Sequence, residues 1–300
     1  MNTPLPFFSV IVPTYNRPAL LQSCLEALTG LDYPADRYEV IIVDDGGDRA
    51  LDTLVAGFLD RLAIRLLRQD NAGPGAARNT GAAGAWGEYL AFTDDDCRPA
   101  PGWLRAFAAA FAAQPDGLLG GRTLNGLSEN IYSTASQALQ EWLYDYCESR
   151  SSPMRFFASN NLSLPAKRFR ELGGFDTATL GYASEDRELC GRWQALGGKF
   201  SYALEAQVLH FHQMGLRGFV RQHFAYGRGA YRLRLARERK GLPPLPGDPK
   251  WMFASLTRYP FAGQGPVRGL ALSVLAVCTH AANMAGYAFE RWSSLERWQI

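Results

Sequence analysis

The sequence predicts an α/β fold, with a mostly parallel sheet flanked by helices and a helical C-terminal extension. Three observations predict it. Over the first hundred residues, apolar β-branched runs alternate with segments of helical periodicity. Those runs are mainly apolar and show no strict alternation with polar residues, as expected of strands covered on both faces. The last third of the chain carries a basic, aromatic-rich run and then a long uncharged one. The chain's 300 residues, 47% hydrophobic and 20% charged, suffice for one large domain or two modest ones.

The elements follow in order. "FFSVIVP" (7–13) is the first strand. "PALLQSCLEALTG" (18–30) is a helix, with Leu20, Leu21, Cys24, Leu25 and Leu28 at helical spacing and a glycine stop. "YEVIIVDDGG" (38–47), "AIRLLRQ" (63–69) and "EYLAFTDDD" (88–96) are strands. Between them, "ALDTLVAGFLDRL" (50–62) reads as a helix and "PGAARNTGAAGA" (74–85) begins another. "WLRAFAAAFAAQP" (103–115) is an Ala-rich helix.

Parallel sheets bind ligands at the carboxyl ends of their strands. Here those ends read "PTYN", "VDDGG", "QDNAGPG" and "TDDD". All four are polar and rich in chemically useful groups. In "TDDD" three carboxylates stand side by side, and at about 4 Å with an effective dielectric near 20 each like pair repels by roughly 4 kcal/mol. Either something positive answers that repulsion or the run stands well solvated, as acidic turns usually do. Arg98 is the nearest cation in sequence. "GPGAAR" (73–78) nearly matches a dinucleotide fingerprint, but it follows the third strand and Arg78 takes the third glycine's place.

Net charge is +2, so bulk charge does not point to nucleic acid, and no nucleic-acid partner is expected. The cysteines at 24, 97, 147, 190 and 278 are odd in number and lack metal-type spacing. They suit a reduced, cytoplasmic protein. The N-terminus shows no signal-peptide pattern.

"SVIVPTYNRPALLQSCLEAL", "VIIVDDGG", "NAGPGAARNTGAAGAWGEYLAFTDDDCRP", "ASNNLSLPAKRFRELGGFD" and "ASEDRELCGRW" stand in the order and spacing of the family 2 glycosyltransferases. The chain resembles that family over roughly residues 7–230. The resemblance implies a Rossmann-like sheet of the glycosyltransferase A type. It also implies a nucleotide-sugar donor (UDP, GDP or dTDP type), a divalent metal (Mn or Mg) and a glycan or lipid-linked acceptor. The family's D-x-D motif falls on Asp94 and Asp96. Residues two apart in extended chain share a face, and Asp96 is the expected metal ligand, with Asp94 and Asp95 toward the donor. In "VLHFHQ", His210 and His212 would share one face of a strand, and His210 fits the family's metal-ligating position better.

Pro13 and Tyr15 would shape the base pocket, with Tyr15 able to stack. Asp44 and Asp45 would accept from base or ribose, Asp45 being the better match. Asn71 and Arg78 would lie near the donor. Inversion requires a base to take the acceptor hydroxyl's proton. The family's acidic pair at a helix start is here Glu185–Asp186, with Asp186 as the expected base. Acids at a helix N-terminus also suit the macrodipole without any catalytic role. Asn160 and Asn161 belong to the acceptor side by the same resemblance.

Residues 1–215 are thus expected to form the catalytic domain, with a donor half (1–121) and an acceptor half (122–215). Residues 216–300 are expected to form a basic and hydrophobic extension. "LRGFVRQHFAYGRGAYRLRLARERKG" (216–241) holds seven Arg and one Lys against one Glu. "GLALSVLAVCTHAANMAGYAF" (269–289) has no formal charge over 21 residues. Together they suggest attachment to the cytoplasmic face of a membrane, as a peripheral helix or a weak span; the alternatives are a solvated basic face that packs on the core and a tail helix that packs against a partner. A Pro-rich connector is expected over 242–268. Two other functions share these nucleotide-binding features. One is a sugar-1-phosphate nucleotidyltransferase, which normally shows a Gly- and Arg-rich loop where "PTYNRP" stands. The other is a non-catalytic nucleotide-sugar-binding protein, which need not retain Asp94, Asp96, Asp186 and His210 together.

Overall fold

A computed structural model describes residues 4–149, 156–180, 183–242 and 265–296. The Pro-rich connector lies mostly outside these residues. Contacts divide the chain into two compact units. The first comprises residues 1–124, 156–177 and 185–211, and the second 125–155, 178–184 and 212–300.

The first unit is an α/β sheet structure. Its strands are β1 (Phe8–Thr14), β2 (Tyr38–Asp45), β3 (Ile64–Gln69), β4 (Tyr89–Thr93), β5 (Cys97–Pro99), β6 (Leu118–Asn125), β7 (Asn161–Pro165) and β8 (Phe200–His210). They form one sheet in the order β3-β2-β1-β4-β7-β6-β8-β5. β1, β2, β3 and β4 pair in parallel, as the sequence predicts. The other half is antiparallel: β7 pairs with β4 and with β6, and β5 pairs with β8. The sheet is therefore mixed, and its parallel half is the part legible as alternating strand and helix.

Helices flank it: α1 (Pro18–Thr29), α2 (Asp52–Ala56), α3 (Pro74–Ala83) and α4 (Trp103–Ala113). α1 starts on Pro18 and buries Leu21, Cys24, Leu25 and Leu28, because a proline at the first helical position gives up no needed N–H. α2 is shorter than the expected 50–62. Gly57 caps it, donating its N–H to the Thr53 and Leu54 carbonyls, and the chain turns from there. The core joins Phe8, Val10 and Val40 of the sheet to Trp103, Phe107 and Phe111 of α4 and the α1 leucines.

The second unit is helical. Its long helices are α5 (Ile131–Ser149), α9 (Leu216–Arg239) and α10 (Pro266–Glu296). The short α6 (Ala166–Glu171) and α8 (Glu185–Ala195) belong to the first unit, and α7 (Thr177–Leu180) straddles the division. α9 and α10 approach backbone to backbone. A Cβ on Gly227 would lie 2.0 Å from the Asn283 carbonyl oxygen, and one on Gly286 2.0 Å from that of Phe224. Only glycine permits that approach. Phe224 meets Phe289, and Tyr231 meets Tyr287 edge-on.

Candidate active site

Sheet register builds the centre of the site. After β4 the chain turns at Asp94–Cys97, closed by the Cys97 N–H donating to the Asp94 carbonyl. It then enters β5, where Cys97 stands opposite His210 of β8. The Phe211 N–H donates to the Asp96 carbonyl at 2.8 Å. This ladder brings the His210 Nε2 to 3.3 Å from Asp96 Oδ1. Burial works against charge on His210, yet the Asp96 carboxylate outweighs it and raises the imidazole pKa.

β8 ends at His210, so His212 is off the strand and the expected shared face does not form. His212 belongs to the second unit, where its carbonyl accepts from the Ser133 hydroxyl.

The three aspartates diverge. Asp95 is wholly enclosed. One of its oxygens accepts from the Thr14 hydroxyl at 2.8 Å, and the other meets Arg17 Nη2 at 2.9 Å. Burial, only partly offset by Arg17, lifts its pKa to about 7. Asp96 Oδ2 meets Arg17 Nη1 at 3.2 Å. Asp94 binds Arg78 Nη2 at 2.6 Å, and Arg78 Nη1 reaches Glu185 at 3.3 Å. Arg78 is thus a buried brace between the "TDDD" turn and the start of α8.

Burial, reinforced by the Asp186 charge, raises the pKa of Glu185. Burial likewise raises that of Asp186, against the opposing pull of Arg187 and its amide, which donates to Asp186 at 2.7 Å. The residues just before α8 are strained. Ala183 and Ser184 hold φ of 82° and 76°, a region that costs non-glycine residues about 1–3 kcal/mol each.

The cations that answer the acidic run are therefore Arg17 and Arg78. Arg98 instead stacks on Phe211, 3.7 Å from the ring centre. Arg17 was missed in the sequence because its partner lies 79 residues away; its only signal was its place in the polar end of β1, "PTYNRP".

The remaining predicted residues occupy the strand ends. Pro13 and Thr14 are buried in β1, and Tyr15 is exposed beyond them. Asp44 accepts the Gly47 N–H and lines an open pocket of about 550 Å³ with Gly46, Gly47, Asp48, Arg68 and Gln69. That volume falls within the usual range for a small-molecule site. The Asp45 carboxylate already accepts from Gln69 and from the N–H groups of Ala72 and Gly73. Asn71 donates to the Asp45 carbonyl. Asp45 and Asn71 thereby fasten the β3–α3 loop. Gly46 permits this closeness, since a Cβ there would lie 2.6 Å from the Asn71 nitrogen.

Asn161 accepts from the Trp103 indole and donates to the Ala206 carbonyl, so its amide serves the packing of β7. Asn160, also buried, accepts from Thr123 at 3.4 Å.

A carboxylate oxygen, an imidazole nitrogen and a thiol, from Asp96, His210 and Cys97, lie within 4.8 Å of one another. Burial, with the Asp96 and Asp94 charges, raises the Cys97 pKa well above its ordinary value, and a hard cation takes oxygen before sulfur, so the useful donors are Asp96 and His210. This oxygen–nitrogen pair fits a divalent cation. Mg²⁺ keeps to oxygen ligands, so an imidazole in the set weighs against it.

The family described as Glycosyl transferase family 2 matches residues 9–171, more than half of the chain. The chain belongs to this family.

Among curated relatives, it is 29% identical over 259 residues to the validoxylamine A glucosyltransferase of Streptomyces hygroscopicus subsp. jinggangensis, covering 73% of this chain and 61% of that one. It is 39% identical over 124 residues to the glycosyltransferase AglE of Haloferax volcanii, 40% of each chain. The chain thus spans about two-fifths to three-fifths of the length of these relatives.

Two solved structures share its fold. One is the mannosyltransferase PcManGT of Pyrobaculum calidifontis in complex with GDP-Man and Mn²⁺, at TM-score 0.63 and 20% identity, covering 98% of this chain and 81% of that one. The other is Staphylococcus aureus TarS 1–349 in complex with UDP, at TM-score 0.53 and 18% identity, covering 97% and 91%.

Proposed function

We propose that this family 2 member is an inverting glycosyltransferase that moves a sugar from a nucleoside-diphosphate donor to a hydroxyl of a glycan or lipid-linked acceptor. One observation carries the reading. The "TDDD" turn and the "SED" helix start, far apart in sequence, meet on the buried Arg78. Donor-side and acceptor-side chemistry are thereby tied into one network. PcManGT and TarS, which share the fold, were solved with GDP-Man and Mn²⁺ and with UDP.

Asp96 and His210 would hold the divalent cation. When bound, it supplies charge neutralisation for the departing diphosphate. Asp44, beside its pocket, and Tyr15 would receive the nucleoside. Asp94, steered by Arg78, would face the donor sugar. Asp186 would take the acceptor hydroxyl's proton. Its raised pKa makes it a stronger base than an ordinary aspartate, which suits that task near neutral pH. Catalysis is assigned to residues 1–215. Residues 216–241 and 269–289 are proposed to rest on the cytoplasmic face of a membrane.

The test is Asp186→Asn, which keeps shape and removes the proton acceptor. Transfer should fall about 10²–10⁴-fold, while calorimetric binding of nucleoside diphosphate with Mn²⁺ stays within twofold, roughly. Wild-type activity should rise with pH through a value above the ordinary aspartate range, following the raised pKa. A variant retaining more than about a tenth of turnover would remove Asp186 from this role.

A further inference from the structure

We propose that Arg17 stands in for the divalent cation before it arrives, and then turns one arm of its guanidinium to the donor's diphosphate while the other stays anchored on Asp95. The inference rests on the reading of Asp96 as a cation ligand.

Two arginines face the acidic cluster, and they differ in freedom. The Arg78 side chain is 4% exposed and clamped between Asp94 and Glu185. That of Arg17 is 46% exposed, although the carboxylates it meets are 0% and 8% exposed. Its backbone is held: it follows Asn16 at φ 57° and precedes Pro18, the first residue of α1. The movable part is the side chain.

The two arms have unequal partners. Nη2 meets Asp95 Oδ1 at 2.9 Å, and Asp95 is in turn fixed by the Thr14 hydroxyl. Nη1 meets Asp96 Oδ2 at a longer 3.2 Å. Asp96 is also the residue whose other oxygen faces His210. Arg17 and an incoming cation therefore compete for one carboxylate. A cation on Asp96 repels the guanidinium and frees Nη1, while Nη2 keeps its buried anchor. The freed arm would remain beside Asp96, within reach of a diphosphate held by a cation there. A guanidinium fork matches phosphate oxygens well. Asp95 becomes the anchor of Arg17 and not a donor contact, which accounts for its complete burial at the centre of the run.

Full-length protein would be titrated with Mn²⁺ alone, followed by loss of the free-ion paramagnetic resonance signal, and then with GDP and UDP at saturating Mn²⁺. Arg17→Gln removes the competitor, so Mn²⁺ should bind about fivefold tighter than to wild type. The same variant lacks the phosphate contact, so the better-binding nucleotide should bind about tenfold more weakly. Arg17→Lys keeps the charge and loses the fork. It should leave Mn²⁺ affinity near wild type and still weaken the nucleotide.

Opposite signs for metal and nucleotide in one variant separate this role from a structural one, which would weaken both. Unchanged or weaker Mn²⁺ binding by Arg17→Gln, or undiminished nucleotide binding, overturns the proposal. If wild type itself fails to bind Mn²⁺, the metal reading falls with it; if wild type binds and the variant does not differ, only this inference falls.

Discussion

His210 and His212 are two residues apart, and sheet pairing separates them. The β5–β8 ladder places His210 opposite Cys97 and against Asp96, and the strand stops before His212. His210→Ala should therefore weaken Mn²⁺ binding by at least about tenfold, the scale of losing one charge-assisted contact. His212→Ala should leave it within about twofold, like a surface change away from the ligands. Equilibrium titration of both variants checks this, and equal losses would contradict the geometry.

The acids of the site were legible because strand-end carboxylates stand out in any α/β reading. Their arginines were not. Arg17 reads as an ordinary loop residue and Arg78 as a misplaced fingerprint residue until folding brings Asp95, Asp96, Asp94 and Glu185 to them. Asp95 was read with its neighbours because sequence shows three equal acids. Only the turn after β4 shows that the middle one points inward.

At the scale of elements, the parallel strands were legible from apolar runs with helices between them. The three-residue β5 was not, because a strand that short carries no period of its own and exists through its partner β8. The basic run on α9 was legible as charge, but part of it is spent inside the helical unit. Arg228 and Arg232 converge on the buried Glu290 of α10, and Arg234 pairs with Glu238.

One titratable side chain on α9 is buried with no hydrogen-bond partner on either ring nitrogen among the described residues. His223 is wholly enclosed, with Phe219 at 4.3 Å between ring centres and Tyr226 at 5.6 Å. Burial, helped by His212, pushes its pKa down to about 4. A base depressed on folding stays neutral in the native state and binds a proton more readily when unfolded. Its stabilising share is complete above about pH 6.5 and is lost as pH falls toward about 4. Between pH 7 and 5 the loss is about 2 kcal/mol. The pKa of Glu290 is lowered: burial opposes the shift, but Arg232 and Arg228 prevail. Its contribution is therefore full above the ordinary carboxylate range and is lost as pH falls through that range and below it, under this window. Denaturant unfolding of wild type and His223→Phe at both pH values should show the wild type losing about 2 kcal/mol more than the variant. Parallel losses would mean that His223 titrates normally.

For the molecule as a whole, the apolar solvent side of α10 is the feature with the widest consequence. Its solvent side carries Val267, Leu270, Val274, Val277, Met284, Trp292 and Leu295 at helical spacing, all more than two-fifths exposed. The helix is long enough to span a bilayer, about 46 Å at 1.5 Å per residue, and its best window has a mean hydropathy of 1.3. Its opposite face argues against spanning. That face buries Thr279 and Glu290 and packs Gly286 backbone to backbone on α9, whose Arg228 and Arg232 hold Glu290. Crossing the hydrocarbon would carry this ionic pair of helices with it, at a cost of several kcal/mol per charge. Lying along the interface exposes only the apolar stripe to lipid. The exposed Arg217 and Arg221 on the first turns of α9 would add about 1 kcal/mol each near anionic headgroups. The full-length protein should thus float with vesicles of mixed phosphatidylglycerol and phosphatidylcholine. Arg217→Ala with Arg221→Ala should remove the salt-sensitive part of that binding. Val274→Ser with Val277→Ser should remove the part that survives high salt. A protein that never floats with these vesicles would show that the stripe is not a lipid-facing surface. Binding that resists alkaline carbonate extraction would show instead that α10 spans, since interfacial helices are released by that treatment and spanning ones are not.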